Sequence, residues 1–146
     1  MHRTDDQLMT VGGLARRTGL SIKAIRQYEG LGLIYSAGRS ESGYRLFDGS
    51  ALWCAHVIAT LRSLGLTIKE IDELGSVYLS RPEEPIGPRL AALLDRAEQR
   101  IDDRMAELTA ARGRIREYRT QHAAGLAGRP GDDLFGEDPR RRRRAA

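Results

Sequence analysis

The chain has 146 residues, 24 Lys and Arg against 20 Asp and Glu, a net charge of +4, 5% aromatic residues and one cysteine. That length fits one compact domain, or a small domain with an extended element, and excludes two full-sized enzyme domains. The absence of any apolar run of about 18 residues excludes a membrane-spanning helix. The lone cysteine excludes an intramolecular disulfide framework and a thiolate-rich metal cage.

No secretory signal is expected either, because Met1 to Thr10 carries charges of both signs and no apolar stretch. A cytoplasmic location follows as the expectation. Residues 10–45 hold six basic side chains (Arg16, Arg17, Lys23, Arg26, Arg39, Arg45) against Glu29 and Glu41, so this quarter of the chain carries a net charge equal to that of the whole. Such a patch either favours a polyanion or is a solvated surface.

Residues 1–9 read as a short arm. Thr10 can cap a helix from Val11 to Arg17 with Val11, Leu14 and Ala15 on one face. Gly19 stops it, and Ser21 caps a second helix, Ile22 to Leu31, with Ile22, Ile25 and Leu31 inward. Two short helices joined by a tight glycine turn form a helix-turn-helix unit. Gly32-Leu33-Ile34 and Tyr44-Arg45-Leu46-Phe47 flank a polar loop and predict a β-hairpin, or wing. Asp48 or Ser50 caps a third helix, Ala51 to Leu64, which Gly65 ends. Thr67 and Glu70 have the spacing of a capping box for a fourth, Ile68 to Leu79, with Ile68, Ile71 and Leu74 inward.

Three prolines between Arg81 and Pro88 break the helical pattern. Arg89 to Gln121 then repeats Leu94, Ile101, Leu108 and Ile115 every seven residues, with Leu90, Ala97, Met105, Ala111 and Tyr118 in the same stripe. A seven-residue apolar repeat is the mark of a coiled coil. A helix of that length is on the order of 50 Å long and cannot bury its stripe alone. The natural partner is the same helix of a second subunit. The segment 123–146 is rich in Gly, Pro, Asp and Arg and is expected to be disordered. The run Arg140 to Arg144 either adds nonspecific nucleic-acid affinity or is simply solvated.

The stretch Thr10 to Phe47 resembles the N-terminal domain of the MerR family of bacterial transcription regulators. The resemblance rests on Val11-Gly12-Gly13-Leu14-Ala15-Arg16-Arg17-Thr18-Gly19, on Ile25 to Ile34 (IRQYEGLGLI), and on Arg39 with Glu41-Ser42-Gly43-Tyr44-Arg45-Leu46-Phe47. Leu61 to Ile71 (LRSLGLTIKEI) is similar to the family's second helix pair. The resemblance implies a mainly α fold. A winged helix-turn-helix DNA-binding domain at 10–79 is followed by a linker at 80–88, a coiled-coil dimerisation helix at 89–122, and a tail at 123–146.

In a winged helix-turn-helix the second helix enters the major groove and the wing rides the backbone. Ser21, Lys23 and Gln27 lie toward the exposed start of that helix. Lys23 and Gln27 are the candidates for base edges or nearby phosphates. Arg17 and Arg26 are candidates for phosphates, or Arg26 pairs with Glu29 instead. Tyr28 either contacts the backbone through its hydroxyl, as the resemblance implies, or packs beneath the wing. Tyr44 and Arg45 match the family's wing motif, and the resemblance implies phosphate contacts for both, with core packing as the alternative, more so for Tyr44 than for Arg45; Arg39 is a candidate to reach the backbone from the wing loop. Leu90, Leu94, Ala97, Ile101, Met105, Leu108 and Ile115 are the expected dimer contacts.

The mechanism the resemblance implies is a homodimer on a palindromic operator inside a promoter. The dimer bends and untwists an over-long spacer so that RNA polymerase finds both promoter elements aligned. The regions where the family's metal sensors place cysteines, Ser80 to Leu94 and Gln121 to Phe135, contain none, so neither a metal nor an iron–sulfur cofactor is expected. His2, His56 and His122 are scattered, with His56 expected partly buried on the third helix. Cys54 is either an inert small hydrophobe or a sensor of electrophiles and oxidants. Trp53, Tyr78, Leu79 and Ile86 either line a small-molecule effector site or pack as core, and a regulator with no effector is equally open. An enzyme is not expected, since no nucleophile motif or phosphate loop is present. The alternative is a helical adaptor without sequence-specific DNA binding.

Overall fold

The computed structural model describes residues 7–144. Residues 1–6 of the expected arm, His2 among them, and the last two of the tail lie outside the described residues. Met9–Thr10 forms a short strand, β1, that sequence patterning does not reveal. It runs into α1 (Val11–Thr18), whose cap is Thr10: its hydroxyl accepts from the Gly13 amide at 3.2 Å. Ser21 accepts from the Ala24 amide at 3.0 Å and opens α2 (Ile22–Gly30). The sequence-predicted helix-turn-helix is therefore present, closed at Gly19 by a bond from its amide to the Ala15 carbonyl.

The wing differs from expectation in its first strand. Gly32-Leu33-Ile34 is not extended; it is the closing turn of α2. Gly32 has φ +76°, and its amide donates to the Glu29 carbonyl at 3.0 Å while the Leu33 amide donates to that of Tyr28 at 2.9 Å. Those two bonds satisfy carbonyls that the helix leaves open, a Schellman closure that requires a left-handed residue. Ile34 is then delivered into the core. The hairpin consists of β2 (Gly38–Arg39) and β3 (Arg45–Phe47), with Arg39 opposite Arg45 and Gly38 opposite Leu46. β3 also pairs with β1, Met9 opposite Phe47, so the sheet order is β1-β3-β2.

Asp48, rather than Ser50, caps α3 (Gly49–Ser63) by accepting from the Ala51 amide at 3.0 Å. Thr67 and Glu70 form the expected capping box of α4 (Ile68–Ser80), with bonds of 3.1 and 2.9 Å. Each such cap stabilises its helix by about 1 kcal/mol. The long helix α5 (Gly87–Gln121) starts two residues earlier than the proline pattern suggests. Pro88 is tolerated there because first-turn amides have no partner within the helix. Glu84 in the preceding linker accepts from Arg89 Nε at 2.8 Å and from Arg81 at 3.4 Å.

The chain divides into two units, up to Gln99 and from Arg100 onward. The core belongs to the first: Leu14, Ile25, Tyr28, Ile34, Phe47, Ala55, Ile58, Leu66 and Ile71 are buried together. Fully burying a side chain of the Leu, Ile or Phe class stabilises by about 1.5–3 kcal/mol, so these few residues dominate the fold. Ile22, expected in the core, is 41% exposed; it sits on the first turn of α2, ahead of the packed face.

Ala97, expected at a dimer contact, is instead 4% exposed within the core of its own unit. It lies over Gly65, where an added Cβ would come within 3.8 Å of its own. Leu90 packs at the edge of the same core. In the second unit, the segment expected to be disordered carries α6 (Ala123–Leu126) and α7 (Pro139–Arg144). Local ion pairs flank α7: Asp138 accepts from Arg140, and Asp133 pairs with Arg141.

Candidate nucleic-acid interface

α2 separates its residues by face. Ile25 and Tyr28, three apart, are buried, while Lys23, Arg26 and Gln27 occupy the exposed side at neighbouring helical positions. Tyr28 is 2% exposed, so the packing alternative describes it and its side chain belongs to the core. Ser21 is exposed at the start of the helix; its oxygen accepts the cap bond and its own O–H remains a donor.

The wing tip is built around Gly43, which has φ +84°. The Gly43 amide donates to the Ser40 carbonyl at 2.9 Å, and the Ser40 amide donates to that of Tyr44 at 2.8 Å. Arg39 Nη1 closes over the tip, donating to the Gly43 carbonyl at 3.2 Å. Tyr44 and Arg45 are exposed. Arg45 and Phe47 share one face of β3 because side chains alternate along a strand. Phe47 enters the core, and Arg45, nearer the tip, reaches the Glu29 carboxylate on α2.

Between α2 and the wing lies an open cleft of about 680 Å³ lined by Arg26, Glu29, Gly43, Tyr44, Arg45 and the start of α1 at Thr10 and Val11. The structure thus brings together Arg26, Tyr44 and Arg45, with Lys23 and Gln27 beside Arg26 on the exposed face of α2. Arg17 is not part of this cleft; it lines a separate depression with Trp53 and His56. His56 is exposed, not partly buried as expected, because it falls on the outer face of α3. The Arg26–Glu29 ion pair considered from sequence is not found among the described residues; Glu29 pairs with Arg45. Sequence reasoning did not find that pair, because its partners are 16 positions apart on different elements.

A second cleft, about 450 Å³, is apolar and lies among α3, α4 and the linker. It gathers Trp53, Cys54, Tyr78, Leu79 and Ile86 with Tyr35 and Leu74. Trp53, Tyr78 and Leu79 are exposed there and are not core. Burial pushes the Cys54 thiol above its ordinary pKa, and the Asp48 carboxylate adds to the rise. Among the described residues no three His, Cys, Asp or Glu side chains stand close enough together to hold a metal. None of the described helices is long and apolar enough to cross a membrane.

On α5 beyond the first unit, Ile101, Met105, Leu108 and Ile115 are each 53–61% exposed. Leu94, at the end of the first unit, is 36% exposed. The Tyr118 and His122 rings contact each other at a tilt of 35°, with centroids 4.2 Å apart.

Residues 9–76 match the family model described as MerR HTH family regulatory protein, and residues 55–118 match the one described as MerR, DNA binding. The chain is 30% identical over 125 residues to the HTH-type transcriptional regulator CueR of Salmonella typhi, covering 86% of this chain and 84% of that one. It is 31% identical over 110 residues to the nodulation protein NolA of a Bradyrhizobium species, covering 75% of this chain. The chain spans only 43% of that NolA's length. The crystal structure of the transcription regulator PbrR691 from Ralstonia metallidurans, in complex with lead(II), superposes with a TM-score of 0.61 at 29% identity, over 77% of this chain and 85% of that one. The two family models together span residues 9–118, from the helix-turn-helix into the long helix, and the chain belongs to the MerR family of helix-turn-helix transcriptional regulators.

Proposed function

We propose that the chain works as a homodimer that binds a palindromic operator within a promoter, with α2 in the major groove and the wing on the flanking backbone. The observation that carries this reading is the placement of Lys23, Arg26 and Gln27 on one open face of α2, beside Tyr44 and Arg45 of the wing. Two elements that present amide and cationic donors side by side match a groove edge and its phosphates. Arg39 adds a cation at the wing, Ser21 a hydroxyl donor at the helix start, and Arg17 a peripheral phosphate contact outside the cleft. Tyr28 supports the helix from below and is not part of the proposed contact.

The dimer is proposed to form through Ile101, Met105, Leu108 and Ile115, with Leu94 at the margin. A row of half-exposed aliphatic side chains at heptad spacing is stable in water only when another helix covers it. Holding two recognition helices at a set separation lets the dimer bend and untwist the spacer between promoter elements. RNA polymerase then gains through the reshaped DNA, not through contact with this protein. Bending of this kind costs several kcal/mol by elastic estimates, offset by backbone contacts from both wings. Such work belongs to the cytoplasm, where the promoter is. The lead bound by the Ralstonia protein is not part of the proposal, since this chain offers one half-buried cysteine.

The test is selection of duplexes from random-sequence DNA by the purified chain, followed by affinity measured against salt. A two-fold symmetric consensus, bound with a steep salt dependence, supports the reading. Uniform weak binding to every duplex removes it and leaves the helical adaptor.

A further inference from the structure

Glu29 stands where its charge is locally unfavourable. It is the penultimate residue of α2, at the end of the helix where carbonyl dipoles disfavour an anion. Its side chain is only 14% exposed. One carboxylate oxygen receives Arg45 Nη1, and the other, Oε2, is buried with no hydrogen-bond partner among the described residues. Burying a carboxylate in this way is costly unless a cation compensates it. Arg45 is that cation, and it comes from the wing. β1 pairs with β3 only at Leu46 and Phe47, so from Arg45 outward the wing is a two-strand ribbon, with Arg39 opposite Arg45, and a ribbon this short is marginally stable by itself.

The guanidinium is not consumed by the contact. It carries five N–H donors in a rigid fork, and the Arg45 side chain remains 51% exposed. With only Nη1 engaged by Glu29, the other donors remain available to a second anion.

We infer that Glu29 is a positioning residue for DNA binding: its buried carboxylate ties the wing to the recognition helix and aims the free edge of the Arg45 guanidinium at a backbone phosphate. The inference rests on the DNA-binding reading above and adds to it a residue that touches no DNA. It requires Glu29 to act through Arg45 alone.

The experiment is a double-mutant cycle on a duplex that the wild-type chain has itself selected from random-sequence DNA. Glu29→Gln is expected to weaken binding about tenfold and to lower the salt slope by about one, as loss of a single phosphate contact does. Arg45→Ala is expected to do the same, and the double variant to bind no more weakly than Arg45→Ala alone. Glu29→Asp, which keeps the charge one methylene short, is expected to fall between wild type and Glu29→Gln. Should Glu29→Gln fail to fold by circular dichroism, Glu29→Asp with and without Arg45→Ala carries the same cycle. The inference is overturned if Glu29→Gln binds within about twofold of wild type, or if its loss adds in full to that of Arg45→Ala, as a merely structural role would give. A wild-type chain that binds no duplex overturns the DNA-binding reading and this inference with it.

Discussion

Arg45 and Lys23 are both exposed cations of the first unit, yet they are expected to behave differently. Arg45 stands on the wing, so Arg45→Ala should weaken selected and unrelated duplexes alike, by about tenfold. Lys23 and Gln27 stand on the exposed face of α2, so Lys23→Ala or Gln27→Ala should change the ratio between sites rather than affinity for all. Competition binding against base-substituted duplexes separates the two outcomes. Cys54 gives a prediction of another kind. Desolvation, reinforced by Asp48, disfavours its thiolate, so its pKa lies above that of a free cysteine. At neutral pH its thiolate fraction is therefore smaller, and iodoacetamide should modify it more slowly than free cysteine, the rate rising only as the pH passes the raised value. Alkylation as fast as free cysteine at pH 7 would contradict this and restore Cys54 as a candidate sensor. At this scale the sequence was legible where chemistry is local. Ser21 and Thr67 act on amides three residues away. It was not legible for Glu29, whose partner Arg45 stands on another element, and for Tyr28 it left two readings that only the residue's burial separates.

At the scale of elements, helix boundaries followed the capping residues within two positions, because a cap is a hydrogen bond within one turn. The wing's first strand did not follow, since Leu33 and Ile34 are as apolar as a strand but serve the closure of α2. Gly43 carries the remaining geometry of the wing. Nothing lies within 4 Å of a Cβ added there, so Gly43→Ala meets no clash and costs only its positive φ, about 1–2 kcal/mol. Thermal melting should report that loss, and DNA affinity should fall without a change in site preference. Thr67→Ala removes the α4 capping box and should cost about 1 kcal/mol of stability, with the preference among DNA sites unchanged. A Thr67→Ala protein that melts with wild type would show that the capping box adds nothing to the stability of α4.

At the scale of the whole molecule, the heptad pattern identified one long helix but could not say what each position covers. Leu90 and Ala97 obey the repeat yet pack on the core of their own unit, while Ile101, Met105, Leu108 and Ile115 remain open. Periodicity records a face, and the fold decides its partner. Replacing Leu108 with Glu places a charge in the open stripe and should convert a dimer to monomers by sedimentation, with helix content retained and operator binding lost. A Leu108→Glu protein that remains dimeric would move the interface elsewhere. The measurement that bears most directly on the central claim is a hydroxyl-radical footprint of the wild-type chain on its selected duplex, placed within a promoter. Two symmetric protected half-sites, with altered cleavage at the centre between them, are expected from a wing-and-helix dimer that distorts its spacer. A single protected half-site, or protection without symmetry, would contradict the dimeric account.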